Sequence, residues 1–114
     1  MRIYSVALVI LVSLSALGAG RETPSSYARP ATQLYRRYCI SCHGTDGKSK
    51  TSKGRYSHAR DLTDADWQSD VSDERIFNSI TNGRNVRGNM PPFGQKLKED
   101  EINSLVTFVR QLKG

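Results

Sequence analysis

The sequence predicts an all-α fold, a small helical domain organised around one short motif. Apolar residues recur at helical spacing in three stretches, before residue 44, between residues 76 and 80, and between residues 102 and 112. A glycine follows each of the first two stretches, where helices commonly end. The motif, Cys39-Ile40-Ser41-Cys42-His43, closes the first stretch.

A C-x-x-C-H motif is an attachment site for c-type haem, because its two thiols add across the two vinyl groups and the histidine offers its imidazole to the iron. Cys39 and His43 lie one helical turn apart, so a single turn can hold both the porphyrin and the iron. We therefore predict one covalently bound haem c. Cys39 and Cys42 would form the thioethers, and His43 would be an axial ligand.

Three other interpretations of the two cysteines remain open at this point. A zinc site would need a second pair of ligands, and His58 is the only other histidine. A thioredoxin-like redox pair would need a strand before the motif, where the pattern is helical. A plain disulfide is possible in an oxidising compartment, although its small loop would stabilise the fold little.

The first 20 residues are typical of an export signal. Arg2 is their only charge, an apolar run extends from Ile3 to Leu17, and small residues follow, so the mature chain is expected to begin at Ala19 or Arg21. The apolar run is short against the roughly 20 residues that span a bilayer, but a retained membrane anchor is the alternative. The sequence thus predicts an exported protein.

The rest of the chain divides into a leader and one domain. Residues 21–30 contain two prolines and no apolar period, which predicts a short flexible leader before a domain over residues 31–114. The formal net charge of +6 could favour nucleic acid, an anionic membrane or an acidic protein. Export argues against nucleic acid.

Residues 45–60 have no apolar period and are rich in glycine, lysine and serine, which predicts a surface loop with His58 exposed in it. Thr63 to Asp66 resembles a capping box that opens a short helix toward Trp67. Ser72 is the expected N-cap of a clearer helix that ends at Gly83.

An amphipathic helix is predicted over residues 99–113, with acidic residues in its first turn and basic residues in its last. Lys98, at its expected N-cap, has no suitable capping side chain, so the acidic residues must stabilise that end. The helix is expected to cross the first one near Ala31, Tyr35 and Phe108.

Met90 is the predicted second axial ligand. It is the only methionine after the signal segment, and it lies in a loop before Pro91 and Pro92. Proline restricts the backbone of the preceding residue, so Met90 would lose little conformational entropy on binding iron. Tyr56 and Trp67 are expected to pack in the core or at the haem edge, where each could also meet a propionate. Arg84 and Pro91 are further candidates for contacts with the haem edge or a propionate.

With these residues in view, the sequence resembles a class I c-type cytochrome, over roughly residues 31 to 113. The matching segments are Leu34-Tyr35, Cys39 to Gly44, Asp61-Leu62-Thr63, Ile80 to Arg84, Met90 to Phe93, and the closing helix from Glu101 to Leu112. The resemblance implies the cytochrome c fold, with His43 proximal, Met90 distal and the terminal helices packed crosswise. It also implies a bacterial periplasmic protein.

Two positions depart from the pattern of the family. Many relatives have glycine where this sequence has Ala31, so the helix crossing is expected to be slightly wider. Many also have proline where this sequence has Arg60, next to the carbonyl that accepts the Nδ1 hydrogen of the proximal histidine. Here that hydrogen bond would depend on the Arg60 backbone.

The predicted function follows from the ligands, since imidazole and thioether favour Fe(II) and fill both axial positions. The protein is therefore expected to be a one-electron carrier between periplasmic or membrane redox partners, and not itself an enzyme. Contacts with these partners would be small and transient, and a group of basic side chains would speed association with acidic partners. That group comprises Lys48, Lys50, Lys53, Arg84 and Arg87.

Two alternatives to a free carrier remain. The chain could be the haem subunit of a membrane oxidase or dehydrogenase complex. Less favoured is a five-coordinate haem enzyme or sensor, because the sequence supplies no distal acid–base pair.

Overall fold

The computed structural model describes residues 28–114 and contains six helices in that part of the chain. They are α1 (Ala31–Tyr38), α2 (Ile40–His43), α3 (Ser52–Tyr56), α4 (Ala65–Asp70), α5 (Asp73–Asn82) and α6 (Glu99–Gln111). Among these residues the extended pairing is limited to one isolated antiparallel bridge, between Arg84 and Met90. The predicted all-α class is confirmed.

The two terminal helices pack against each other, as the sequence predicts. The rings of Tyr35 in α1 and Phe108 in α6 lie 4.8 Å apart between centroids and are tilted by 42°. Leu34 and Leu105 are the largest fully buried side chains of the described part. Helix α5 packs on α6 through the same core. The core residues are Leu34, Tyr35, Leu62, Ile76, Ile80, Phe93, Leu97, Ile102, Leu105, Val106 and Val109.

The first helix is divided where the sequence predicts a continuous one. Helix α1 ends at Tyr38, and Cys39, with φ −113° and ψ −36°, precedes α2. Hydrogen bonds continue across the division, from the Cys39 amide to the Tyr35 carbonyl and from the His43 amide to the Cys39 carbonyl, both 2.9 Å. The departure is therefore a local change in the backbone at Cys39, and the hydrogen bonding of the two helices is continuous across it. Gly44 ends α2 at φ +76°, as expected.

The surface loop predicted over residues 45–60 is wrong in part, because it contains helix α3. Thr51 is its N-cap and accepts a 2.9 Å hydrogen bond from the Gly54 amide. The Thr51 hydroxyl also donates to the Ser41 carbonyl, at 2.7 Å. A short helix without an apolar stripe is thus stabilised by its cap and by contact with α2, which no local periodicity reveals.

The caps of the later helices differ in detail from the predicted ones. The N-cap of α4 is Asp64, which accepts from the Trp67 amide at 2.9 Å, so the capping box expected to start at Thr63 is wrong by one residue. Ser72 caps α5 as predicted. At α6 the Glu101 carboxylate accepts from the Lys98 amide at 3.0 Å, so an acid of the first turn does stabilise that end.

A polar network joins the three last helices. The buried Gln68 side chain in α4 donates to the carbonyls of Leu62 and Val109, both at 2.8 Å. Arg110 in α6 donates to the Gln68 backbone carbonyl at 2.6 Å and to the Asp73 carboxylate at 2.7 Å. These bonds fix α4 and α5 against α6.

The predictions for the N-terminus fall mostly outside the described residues. The predicted signal segment 1–20 and residues 21–27 of the predicted leader are not among them. At Arg29 the structure differs from a flexible leader, because this side chain is bound to Glu101. Within residues 28–114, none of the helices has the length and hydrophobicity needed to cross a bilayer.

Candidate functional site

The C-x-x-C-H motif forms one compact turn, held at both ends. The Tyr35 hydroxyl donates a 2.9 Å hydrogen bond to the carbonyl of Gly44, the residue directly after the motif. This bond joins α1 to the end of α2 and is buried, and burial raises the pKa of Tyr35 well above its usual range. The turn is therefore anchored to the crossing of the terminal helices.

Cys39 and Cys42 are both half-buried, and no disulfide joins them. Before thioethers form, burial, followed by the neighbouring Cys42, raises the pKa of the Cys39 thiol to about 12. The Ser57 hydroxyl oxygen lies 3.7 Å from the Cys42 sulfur, which brings the chain after α3 against the motif. Two thiols three residues apart on one turn are the donor set that two thioether bonds to a porphyrin require.

His43 is 9 % exposed, and its imidazole has a defined partner. Its Nδ1 atom lies 3.0 Å from the Arg60 carbonyl oxygen. Because a carbonyl can only accept, Nδ1 carries the hydrogen, and the lone pair is on Nε2. Burial lowers the pKa of His43, and the bond to Arg60 opposes only part of this shift. A neutral imidazole with Nε2 available is the form that binds iron.

The departure at Arg60 from the family pattern does not remove this hydrogen bond. The Arg60 guanidinium lies 5.9 Å from the centre of the Trp67 ring, within the range of a cation–π contact. Trp67 is half-buried and packs against the core. The side chain of Arg60 is thus held on α4 while its carbonyl faces His43.

Gly54 brings α3 into direct contact with the motif. A Cβ atom at this position would lie 2.1 Å from the Cys42 carbonyl oxygen, a distance that no real side chain could keep. Tyr56 lies two residues further along α3, on nearly the opposite face. Its side chain is 87 % exposed, so the core position, one of the two expected for Tyr56, is wrong, and a contact with the haem edge stays a prediction.

Met90 is held by its backbone on both sides. Its amide donates to the Arg84 carbonyl, and its carbonyl accepts from the Arg84 amide, both at 2.8 Å. Gly83 has φ +71°, and a Cβ there would lie 2.5 Å from the Met90 carbonyl oxygen. The Met90 side chain is half-buried and packs against the core cluster. A methionine in a defined backbone position is what a preorganised axial ligand needs.

The loop over residues 83–90 also contacts the end of α3. The Asn89 amide donates to the Ser57 carbonyl at 2.9 Å. His58, the next residue, is exposed and has φ +51°. Arg84 and Pro91 are likewise exposed, and their contacts with the haem edge or a propionate stay predictions. The structure thus brings the chain before Met90 against the segment that follows the cysteines.

Sequence reasoning missed two residues at this site, Ser49 and Gly54. Ser49 is 7 % exposed, and its hydroxyl lies 3.1 Å from His43 Nδ1. Nothing in a Lys-Ser-Lys stretch indicates a buried side chain. Gly54 carries a signal in principle, since a glycine inside a helix costs stability unless something must approach closely. That signal is recognisable only when α3 is known to be a helix.

The family described as Cytochrome C oxidase, cbb3-type, subunit III matches residues 27–109 of the chain. The chain belongs to this family. The match covers the motif, the Met90 loop and most of α6, which are the parts that carried the resemblance to class I c-type cytochromes. The cofactor of the chain is therefore covalently bound haem c.

Curated relatives of the cbb3 family agree with this assignment. The chain is 33% identical over 102 residues to the cbb3-type cytochrome c oxidase subunit FixP of Azorhizobium caulinodans, covering 90% of this chain and 32% of that protein. It is 29% identical over 94 residues to subunit CcoP of Azospirillum brasilense, covering 82% of this chain and 31% of that protein. The chain thus spans about a third of the length of these relatives.

A solved structure establishes the fold. The chain is similar to the KustC0563 c-type cytochrome with a TM-score of 0.70 and 40% identity, over 75% of this chain and 100% of that one. A point mutant of the same cytochrome matches with a TM-score of 0.67 and 39% identity, over the same shares of the two chains. The predicted cytochrome c fold is confirmed, and the cbb3-family domain here resembles a whole small cytochrome.

Proposed function

We propose that this cbb3-family domain carries single electrons, with haem held by Cys39 and Cys42 and with His43 Nε2 and Met90 Sδ as the axial ligands. The observation that carries the proposal is the hydrogen bond from His43 Nδ1 to the Arg60 carbonyl, which directs the free lone pair of the ring to Nε2 on the same turn as both thiols. When bound, the haem supplies a one-electron Fe(II)/Fe(III) couple.

The residues of the chain hold the motif turn and the distal ligand in position. The Tyr35 bond to Gly44 and the close approach of Gly54 hold the motif turn in place. The bridge to Arg84 holds the Met90 backbone. A site that changes little between two oxidation states keeps the reorganisation cost of electron transfer low, because the ligands do not have to be repositioned.

An absorption spectrum of the purified protein tests the ligands. The oxidised protein should show the weak near-infrared band of sulfur-to-iron(III) charge transfer, and carbon monoxide should leave the reduced spectrum unchanged. Met90→Ala should lose the band and bind carbon monoxide, whereas Val86→Ala, an exposed residue of the same loop, should behave as wild type. A wild-type protein that lacks the band and binds carbon monoxide would favour the enzyme or sensor alternative.

We propose a membrane oxidase as the partner, because the FixP and CcoP relatives are subunits of cbb3-type oxidases. The contact is proposed to use a basic surface with two exposed apolar side chains, Tyr56 at the end of α3 and Val86 in the adjoining loop. Exposed cations accompany them on the same two segments. They are Lys53 and Arg55 on α3, and Arg84 and Arg87 in the loop.

The dependence of the electron-transfer rate on ionic strength tests whether the partner docks on this basic surface. Electron transfer to an acidic redox protein should slow as salt is added, and Lys53→Glu should reduce both the rate and its salt dependence. Lys113→Glu, beyond the C-terminal end of α6, is the matched control and should have a smaller effect. Equal effects of the two variants would argue against this surface.

Export to the periplasm remains a proposal that rests on the predicted signal segment. Fractionation of cells should place the protein in the periplasm, and N-terminal sequencing should find Ala19 or Arg21 as the first residue. A protein that retains residues 1–20 in the membrane fraction would favour an anchored oxidase subunit over a free carrier.

A further inference from the structure

Ser49 lies in the loop after α2 and contacts His43 through both its backbone and its side chain. Its amide donates to the His43 carbonyl at 2.9 Å. Its Oγ lies 3.1 Å from His43 Nδ1 and also donates a hydrogen bond to the Arg60 carbonyl. Ser49, His43 and Arg60 thus form a closed triangle of hydrogen bonds inside the protein.

The direction of each bond in this triangle follows from the acceptor. The Arg60 carbonyl can only accept, so both the Ser49 hydroxyl and His43 Nδ1 donate toward it. The hydroxyl hydrogen is then committed to Arg60, and a lone pair of Oγ is left toward Nδ1. A hydroxyl that donates is polarised and becomes a stronger acceptor. The Nδ1 hydrogen is therefore shared between two acceptors.

The backbone of Ser49 has an unusual conformation for a residue with a side chain. Its φ is +57°, in the left-handed region that favours glycine. A serine held there against its preference indicates that its position is determined by the surrounding contacts. The strained conformation is what brings both the amide and the hydroxyl of Ser49 to His43.

We propose that Ser49 is a positioning residue for His43. The Ser49 hydroxyl accepts a hydrogen bond from His43 Nδ1, which fixes the plane of the ring and increases electron donation from the imidazole to the iron. A more electron-rich imidazole stabilises the oxidised iron, so Ser49 lowers the reduction potential of the haem. This inference rests on the proposed function, in which Nε2 of His43 binds the iron.

Replacement of Ser49 by glycine and by alanine separates the effect of the hydroxyl from the effect of the strained backbone. Ser49→Gly removes the hydroxyl and accepts the left-handed φ without strain, whereas Ser49→Ala removes the hydroxyl and keeps the strain. Ser69→Ala is the matched control, because this exposed hydroxyl on α4 donates only to the Ala65 carbonyl. The three variants and the wild type are all prepared with haem attached.

Two readouts are measured, the reduction potential by redox titration and the Nδ1 proton of His43 by NMR of the reduced protein. Both Ser49 variants should have a higher potential than wild type, and their Nδ1 proton should exchange with solvent faster. Ser69→Ala should match wild type in both. Thermal stability is measured in parallel and carries no weight for the assignment, since a purely structural role would also change it.

Three results would contradict the role proposed for Ser49, and each has a different meaning. An unchanged or lower potential in Ser49→Gly, with a normal haem spectrum, would overturn this inference and leave the proposed function standing. A wild-type protein whose spectrum and Nδ1 resonance show no histidine-ligated haem would overturn both. A higher potential in Ser49→Ala that is absent in Ser49→Gly would assign the effect to backbone strain and would also overturn the inference.

Discussion

Arg29 and Glu101 are 72 residues apart in the sequence, and the guanidinium binds the carboxylate through two hydrogen bonds of 2.8 and 3.0 Å. The Glu101 side chain is 4% exposed. It also accepts from the backbone amides of Lys98 and Arg29. One carboxylate therefore joins the chain before α1 to the first turn of α6.

Loss of this carboxylate should destabilise the fold. Glu101→Ala removes the pair with Arg29 and the bond from the Lys98 amide, and we expect a decrease of about 2 kcal/mol in the free energy of unfolding, as for hydrogen bonds to a charged group. Urea unfolding followed by circular dichroism measures it. Glu99→Ala, an exposed acid in the same helical turn, is the control and should change stability much less. Equal losses would contradict the assignment.

The same pair predicts a pH dependence of stability. The Arg29 side-chain hydrogen bonds, followed by the Lys98 amide, hold the pKa of Glu101 at about 2, against an ordinary value of 4.5. A carboxyl whose pKa is lowered by folding stabilises the protein above the unfolded pKa, and this contribution is lost as the pH falls from about 4.5 toward 2. The melting temperature of wild type should fall more steeply over this window than that of Glu101→Gln. Parallel curves would refute the prediction.

Gly83 should control how firmly Met90 is held. Gly83→Ala places a Cβ 2.5 Å from the Met90 carbonyl oxygen at a residue with φ +71°, so the loop must shift. We expect loss or weakening of the near-infrared sulfur band and increased binding of carbon monoxide. Asn85→Ala, an exposed change in the same loop, should leave the spectrum unchanged. A full band in Gly83→Ala would show that the loop adapts without moving Met90.

Gln68 should be important for stability although it touches no predicted ligand. Gln68→Ala leaves the Leu62 carbonyl without the hydrogen bond from this side chain, whereas the Val109 carbonyl keeps its bond from the Leu112 amide. A buried acceptor left unpaired costs about 1–3 kcal/mol. Gln68→Met would fill the space without restoring the bonds, so it should recover only part of the loss. Gln111→Ala, exposed in α6, is the control. A lower melting temperature together with an unaffected haem spectrum would show that the substitution acts on stability and not on the haem site.

Much of the fold could be predicted locally. The caps and acidic first turns located α5 and α6, and Ser72 and Gly83 bound α5 as expected. Errors occurred where a helix is short. Helix α3 has five residues and no apolar stripe, and it exists because Thr51 caps it and Gly54 lies against α2. The core position expected for Tyr56 was wrong for the same reason, since its face could not be assigned without the helix.

The helical class and the attachment motif are predictable without any coordinates, because both depend on residues within one or two turns of one another. The distant groups whose meeting is known only from the packed chain are Arg29 with Glu101 and Ser49 with His43. The bond of His43 to the Arg60 carbonyl was expected only through the family resemblance. Helical periodicity reports which face of a segment is apolar and contains no information on the partner of a single polar side chain. That partner is selected when the segments pack, because a buried polar group must find a hydrogen bond wherever the fold places one.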